Sequence, residues 1–173
     1  MKRYVVMTAL AVAAAGCGSD SPAAPTGPPT TIVFTAALSA ANEVPPVTNA
    51  DANGRGTGTF TLNMTRDGAG GITEATGTFV FSLTGFPAGT VIRGAHIHDG
   101  GPGIIGSVVV NSELSAANTL TLGDGTIGNQ TFANKLVGAT LAQQIITNPN
   151  GFYFNVHSGV NPGGAVRAQL VRQ

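Results

Sequence analysis

Three histidines, His96, His98 and His157, are the residues of this sequence whose type and spacing could bind a metal ion. His96 and His98 are two residues apart, so in a β-strand they project to the same side with Cα atoms roughly 6.5 Å apart. If the strand that carries His157 lies beside them, three imidazole nitrogens converge, and such a set suits copper or zinc. Metal binding requires neutral imidazoles, and an unperturbed histidine titrates near pH 6.5. Binding is therefore expected to weaken as the pH falls from about 7 to about 5.

Three charged residues are candidates for the surroundings of such a centre. Asp99 directly follows His98, and Glu43 lies near the start of the domain. Either carboxylate could be a fourth ligand or an acceptor that orients an imidazole N–H. Arg167 is most simply the partner of a nearby carboxylate. The alternative without metal is that the histidines anchor loops through ring N–H bonds to carbonyls, with Glu43 held by backbone N–H groups or by Arg167.

The usual nucleophilic schemes are not recognisable. No serine lies in a G-x-S-x-G elbow, and the single cysteine is Cys17. His157 and Ser158 are adjacent, and neighbours in a strand face opposite ways, so they do not form a nucleophile–base pair. Glu43 with Glu74 or Asp99 would be a conceivable hydrolytic pair, but the aromatic residues expected around a sugar are few. The sequence thus predicts no catalytic residues, and we expect a non-enzymatic protein.

Short runs of threonine, valine and phenylalanine must position the histidines. Strands are predicted over 32–40, 58–65, 75–83, 91–98, 106–111, 118–122, 151–157 and 165–171, and one short helix over 140–147. His157 ends its strand with Tyr153 and Asn155 on its own face. Seven or eight short strands with one helical turn predict an all-β fold, either an antiparallel β-sandwich or a flattened barrel.

Composition limits the partners. Of 173 residues only 9% are charged, and eight basic residues balance eight acidic ones. Without a positive excess there is nothing to hold a phosphate backbone, so nucleic acid is not an expected partner.

The N-terminus reads as a targeting segment. Lys2 and Arg3 precede an apolar stretch over 5–15, which is too short to span a bilayer as a helix. It is followed by Gly16 and Cys17, and then by a proline-rich segment. We expect a signal peptide over 1–16, a lipidated Cys17 with a tether over 17–31, and one β-domain over 32–173.

The residues Ala14-Ala15-Gly16-Cys17 resemble the lipobox of bacterial lipoproteins, with Ala14 where leucine is preferred. The resemblance implies cleavage before Cys17 and acylation of that residue. It implies a protein anchored by lipid in the bacterial cell envelope, at the outer membrane or the periplasmic face. The membrane is then one partner, reached through the lipid.

Four segments in fixed order, 42–47, 94–100, 155–158 and 161–170, resemble the CHRD domain, which is named after the animal protein chordin. They read NEVPPV, GAHIHDG, NVHS and NPGGAVRAQL, with Ala168 where glycine is usual. The resemblance covers about 31–172 and implies a β fold and an extracytoplasmic setting. It implies no settled activity.

A weaker likeness is to the β-sandwich of copper–zinc superoxide dismutase, in which a His-x-His strand precedes a glycine-rich loop. Three histidines cannot fill both metal sites of that enzyme, so a dismutase of the usual kind is excluded by counting. The expected architecture is an immunoglobulin-like or superoxide-dismutase-like sandwich. The expected function is a non-enzymatic binding or envelope structural module whose protein or envelope partner the sequence does not name. The alternative is a mononuclear copper- or zinc-binding protein that uses the three histidines.

Overall fold

The computed structural model describes residues 27–173. The expected signal peptide, Cys17 and most of the tether lie outside the described residues. The described chain forms ten strands and one helix: β1 (Thr31–Ser39), β2 (Arg55–Arg66), β3 (Ile72–Thr84), β4 (Thr90–Asp99), β5 (Val108–Asn111), β6 (Leu120–Leu122), β7 (Ile127–Val137), α1 (Ala139–Thr147), β8 (Phe152–Ser158), β9 (Val166–Gln169) and β10 (Val171–Arg172). The predicted all-β class with one short helix is confirmed.

Strand β7 is the element that the sequence prediction misses, since it leaves 127–137 unassigned. Most of its side chains are exposed or half-buried, so the strand has almost no alternation of apolar and polar residues. Asn134 has φ +58°, and the register with β3 shifts nearby. This segment is a strand because its backbone pairs with β3, and its side-chain pattern does not predict a strand.

All strand pairs are antiparallel and belong to one sheet, in the order β5-β4-β8-β9-β1-β2-β3-β7. Strand β6 pairs with the first part of β4, and β10 pairs with β1. The two ends of the sheet approach each other, because β5 contacts β7. Lys135 of β7 also forms an ion pair with Glu113, which follows β5. The sheet is therefore nearly closed on itself.

The core fills the inside of this sheet. Phe79, Phe81 and Leu83 alternate along β3 and are buried, as the period-two pattern predicts. Phe60 of β2 lies directly opposite Phe79, with ring centroids 5.0 Å apart. Helix α1 contacts β3 and buries Ala142 and Ile145. Within residues 27–173, no helix has the length and apolar character needed to cross a membrane.

The neighbouring strands β4, β8 and β9 have one apolar and one polar face. Their apolar face joins the core through Ala95, Ile97, Phe154, Val156, Val166 and Ala168. The opposite face, called the polar face, carries His96, His98, Tyr153, Asn155, His157 and Arg167. Three connecting segments, 40–54, 100–107 and 159–165, pack around this polar face. They bury side chains that in an open sheet would be exposed to water.

Candidate metal centre and adjoining cleft

The pairing of β4 with β8 brings the three histidines together. His98 lies opposite Tyr153, His96 opposite Asn155 and Gly94 opposite His157. The three imidazoles each offer a nitrogen, and these nitrogens all lie within 4.8 Å of one another. His96 Nδ1 is 2.9 Å from His157 Nε2, so these two rings are joined by a hydrogen bond.

Two backbone carbonyls determine the tautomers of the rings. His98 Nδ1 lies 3.0 Å from the carbonyl of Gly106, and His157 Nδ1 lies 3.0 Å from the carbonyl of Pro162. A carbonyl only accepts, so both Nδ1 atoms carry the hydrogen. The Nε2 atoms of these two neutral rings are then unprotonated. His157 Nε2 accepts, so the neutral His96 ring donates from Nδ1, and its own Nε2 is unprotonated as well.

The Nε2 atom of His98 has no partner. It is buried, and no donor among residues 27–173 reaches it. Buried polar atoms in folded proteins are nearly always hydrogen-bonded, so an unpartnered lone pair marks a place where a ligand can bind. Fixing a histidine through an Nδ1–H bond to a carbonyl, with Nε2 free, is also how metal-binding histidines are oriented.

Burial keeps all three rings neutral. Together with the neighbouring His157 and His98, whose effects are smaller, it lowers the pKa of His96 from 6.5 to about 4. Burial also lowers the pKa of His98 and of His157, although the hydrogen bonds to Gly106 and Pro162 oppose the change. At pH 7 the cluster therefore offers lone pairs and no positive charge.

Tyr153 supports His98 in two ways. Its ring stacks on the His98 ring, with centroids 4.8 Å apart and planes 14° apart. Its hydroxyl accepts the N–H of Gly106 at 3.2 Å, and the Gly106 carbonyl in turn holds His98. Position 106 must be glycine, because a Cβ there would lie 1.2 Å from the Asp99 carbonyl oxygen.

Asp99 stands apart from the histidine nitrogens in this geometry. Its side chain is exposed, and no hydrogen bond joins it to a ring in the described part of the chain. Its backbone N–H donates to the Ser107 carbonyl. The carboxylate faces another cleft, which it lines with Gln143 and Gln144.

Glu43 lies at a second place on the polar face, against Asn155 and Gly164. Its side chain is only 7% exposed, and Oε1 has no hydrogen-bond partner among residues 27–173. A Cβ at Gly164 would lie 2.6 Å from Glu43 Oε2 and 2.7 Å from Asn155 Nδ2, so glycine is required for this close approach. Burial raises the pKa of Glu43 from 4.5 to about 7, and the charge of Arg167 opposes this.

Arg167 does not form the carboxylate pair that the sequence suggests. Its guanidinium lies 3.7 Å from the centroid of the Tyr153 ring. Its Nη1 donates to the Ile104 carbonyl and its Nη2 to Gln169 Oε1. These bonds anchor segment 100–107 on the sheet. The acceptors of the guanidinium N–H groups are thus carbonyl and amide oxygens rather than a carboxylate.

Sequence reasoning names the three histidines but not the groups that orient them. Gly106 and Pro162 act through backbone carbonyls, which leave no side-chain signal. Tyr153 and Asn155 share the face of His157 at period two, and this spacing is the signal that could have included them. The arrangement as a whole can hold one ion through up to three imidazole nitrogens, without a charged ligand.

Comparison with known proteins identifies one family. No curated protein and no solved structure matches the chain. The family model of the CHRD domain matches residues 34–170, a span that includes β1, the histidine strands β4 and β8, and β9. The chain therefore belongs to the CHRD domain family.

Proposed function

We propose that this protein is a non-enzymatic, lipid-anchored binding module of the cell envelope that binds one copper or zinc ion through His96, His98 and His157. The observation that carries the proposal is the unpartnered, buried Nε2 of His98 beside two further imidazoles. A neutral ring in that position gains a bond to an ion that no group in the described chain supplies.

The orientation of the rings supports the proposal. His98 and His157 each use Nδ1–H on a carbonyl and turn Nε2 towards the cluster, so two of three ligands are held in the required tautomer before any ion binds. His96 can join them by moving its hydrogen from Nδ1 to Nε2, which frees the nitrogen that now donates to His157. The ion would then replace a hydrogen bond between two rings.

The chemistry of the donor set favours copper or zinc. Imidazole nitrogens suit these ions, whereas calcium and magnesium prefer oxygen ligands. Three protein ligands leave a coordination position for water. No carboxylate of the described chain hydrogen-bonds to the three rings, so no general base stands beside that position. We therefore favour storage or delivery of the metal over catalysis.

The test is metal content and stability of the purified full-length chain. We expect close to one copper or zinc ion per chain by elemental analysis. At a metal concentration about 100 times Kd, Tm should rise by about 5–10 °C at pH 7.5. His98→Ala should abolish the shift, and Asp99→Asn, which alters an exposed neighbour, should retain it.

The outcomes separate a metal centre from a structural cluster. No rise in Tm with millimolar Cu²⁺ or Zn²⁺ at pH 7.5 would exclude the metal proposal. Loss of stability in the His98→Ala variant without any effect of metal would assign the rings to loop anchoring alone.

A further inference from the structure

A cleft of about 420 Å³ lies on the polar face beside the metal centre, and no role has yet been assigned to it. We call it the Glu43 cleft. Segment 43–49 forms one wall and segment 160–164 the other, with Tyr153, Asn155 and Arg167 below and Ile105 at the rim. The cleft thus joins the first and last sequence motifs of the domain, 42–47 and 161–170.

Two of the residues that line this cleft each carry an oxygen without a hydrogen-bond partner in the described chain. Glu43 Oε1 and Asn155 Oδ1 are buried, and no donor within residues 27–173 reaches either atom. Their side chains are 7% and 2% exposed. Asn155 Nδ2 and Glu43 Oε2 both lie beside Gly164, since a Cβ there would be 2.7 Å from the one and 2.6 Å from the other. Each of the two oxygens is an acceptor and therefore lacks a hydrogen-bond donor.

Arg167, the one cation among the residues that line the cleft, forms its hydrogen bonds with groups other than Glu43. Its Nη1 donates to the Ile104 carbonyl and its Nη2 to Gln169 Oε1, and the guanidinium stacks on the Tyr153 ring. It forms no ion pair with Glu43, since the only salt bridge among residues 27–173 joins Lys135 and Glu113. Within residues 27–173 the Glu43 carboxylate therefore forms no ion pair and its Oε1 no hydrogen bond, and the charge of Arg167 only partly offsets the effect of burial on its pKa.

Part of the wall formed by segment 43–49 is aliphatic. Val44, Pro45, Pro46 and Val47 line one side. Ile105 and Val160, at the opening, are 71% and 60% exposed, although both are large apolar residues. A ligand that entered here would bury these side chains with an apolar stem and present its polar end to Glu43 and Asn155.

We propose that the Glu43 cleft binds a primary ammonium group on an aliphatic stem, the chemistry shared by a lysine side chain and a free aliphatic diamine. An ammonium supplies three N–H donors and one positive charge, which match two acceptor oxygens of which one is anionic. An anion would add acceptors to a site that already lacks donors. This inference does not depend on the metal, because the two sites use different side chains.

The experiment measures binding of two probes to the full-length chain by calorimetry or NMR shift mapping. The probes are Nα-acetyl-lysine N-methylamide and cadaverine, at pH 8 so that Glu43 is ionised, with EDTA so that no amine binds through a metal. Nα-acetyl-norleucine N-methylamide serves as the uncharged control. Binding of the lysine probe alone indicates a polypeptide ligand, and binding of both indicates that the site accepts free amines.

Two pairs of variants test the assignment. Glu43→Gln should weaken binding by about tenfold or more, because it removes a charge-assisted hydrogen bond, whereas the exposed Glu74→Gln should not change it. If Glu43→Gln does not fold, the rim serves instead, since Ile105→Lys should weaken and Ile105→Glu should strengthen binding of either probe. Failure of both probes to bind, or equal binding of the norleucine control, would overturn the proposal.

Discussion

His96 Nδ1 donates to His157 Nε2 at 2.9 Å and links β4 to β8 by a side-chain bond in addition to the backbone ladder. Behind it, His157 Nδ1 donates to the carbonyl of Pro162. The two bonds form a chain from the sheet to segment 159–165, which is also a wall of the Glu43 cleft. The histidine pair and that wall are therefore joined by a hydrogen bond, although the two sites use different side chains.

Truncating the two histidines of this hydrogen-bonded series to alanine should lower the free energy of unfolding by unequal amounts. His157→Ala strands the Pro162 carbonyl and the His96 N–H, and it should lower the free energy of unfolding of the metal-free protein by about 1–3 kcal/mol. His96→Ala should cost less, because His96 is only half-buried and His157 keeps its carbonyl. Urea unfolding in EDTA measures both values. Equal stability of His157→Ala and wild type would contradict this account of the loop.

Metal affinity should persist to a lower pH than the sequence alone suggests. Protons compete with the ion for the rings, and burial lowers the pKa of all three, that of His96 to about 4. Competition at His96 therefore becomes strong only as the pH approaches about 4, and competition at His98 and His157 begins below the usual histidine value of 6.5. Zinc titrations at pH 7.5, 5.5 and 4 check this. A steep loss of affinity already at pH 5.5 would show that the rings titrate as exposed histidines do.

The same shifts make the metal-free domain sensitive to acid. The histidine pKa values are near 6.5 in the unfolded chain and lower in the folded one, so the unfolded state takes up more protons as the pH falls below 6.5. Stability contributed by the neutral rings is present above pH 6.5 and declines towards pH 4. Unfolding midpoints in urea at pH 7, 5.5 and 4.5 should fall in that order. The triple variant of His96, His98 and His157 to Gln should flatten the dependence.

Glu43 makes the stability of the folded domain depend on pH in the opposite direction from the histidines. Its pKa is raised to about 7 in the folded state, so its ionisation above pH 7 destabilises the folded state. This destabilisation is absent below about pH 4.5, where the carboxyl is protonated in both states. Glu43→Gln should stabilise the metal-free, ligand-free protein by about 1–3 kcal/mol at pH 8 and have little effect at pH 4.5. Urea unfolding at the two pH values measures this. Glu74→Gln is the matched control, and a destabilised Glu43→Gln at pH 8 would show that the carboxylate has a partner in solution.

Cys17 should be the mature N-terminus and carry the lipid. Cys17→Ser is expected to leave the precursor unprocessed or to move the protein from the membrane fraction to the soluble fraction. Mass spectrometry of the mature protein and fractionation of cells that express each form provide the measurement. An unchanged mass and membrane partition in the variant would exclude lipid anchoring at this residue.

The fold was predictable where side chains alternate. Phe79, Phe81 and Leu83 mark β3 because every second residue is buried. Strand β7 was not predictable in this way, since its apolar signal is weak and Asn134 interrupts its register. A strand of this kind is specified by its partner's backbone and not by its own side chains.

The candidate site was predictable only in its side chains. His96 and His98 share a face by their spacing, but nothing in the sequence shows that His157 lies beside Gly94, two residues from His96, because strand order is a long-range property. Among the described residues Arg167 forms no ion pair with a carboxylate, and its hydrogen-bond partners are backbone carbonyls and an amide, which residue type alone does not indicate. The tautomers depend on the carbonyls of Gly106 and Pro162, which every residue possesses.

The nearly closed sheet bears on self-association. Strands β5 and β7 end the sheet, and within residues 27–173 each pairs with a single neighbour, so each leaves a free backbone edge. Such edges are where sheets of adjacent molecules join and aggregate. Here β5 is four residues long, while β7 has an irregular register at Asn134 and a charged Lys135. Short, irregular and charged edges hinder the docking of a foreign strand. If lipid anchors bring many copies together on one membrane, the β5 and β7 edges of the open sheet should therefore resist strand pairing between molecules and the aggregation that follows from it.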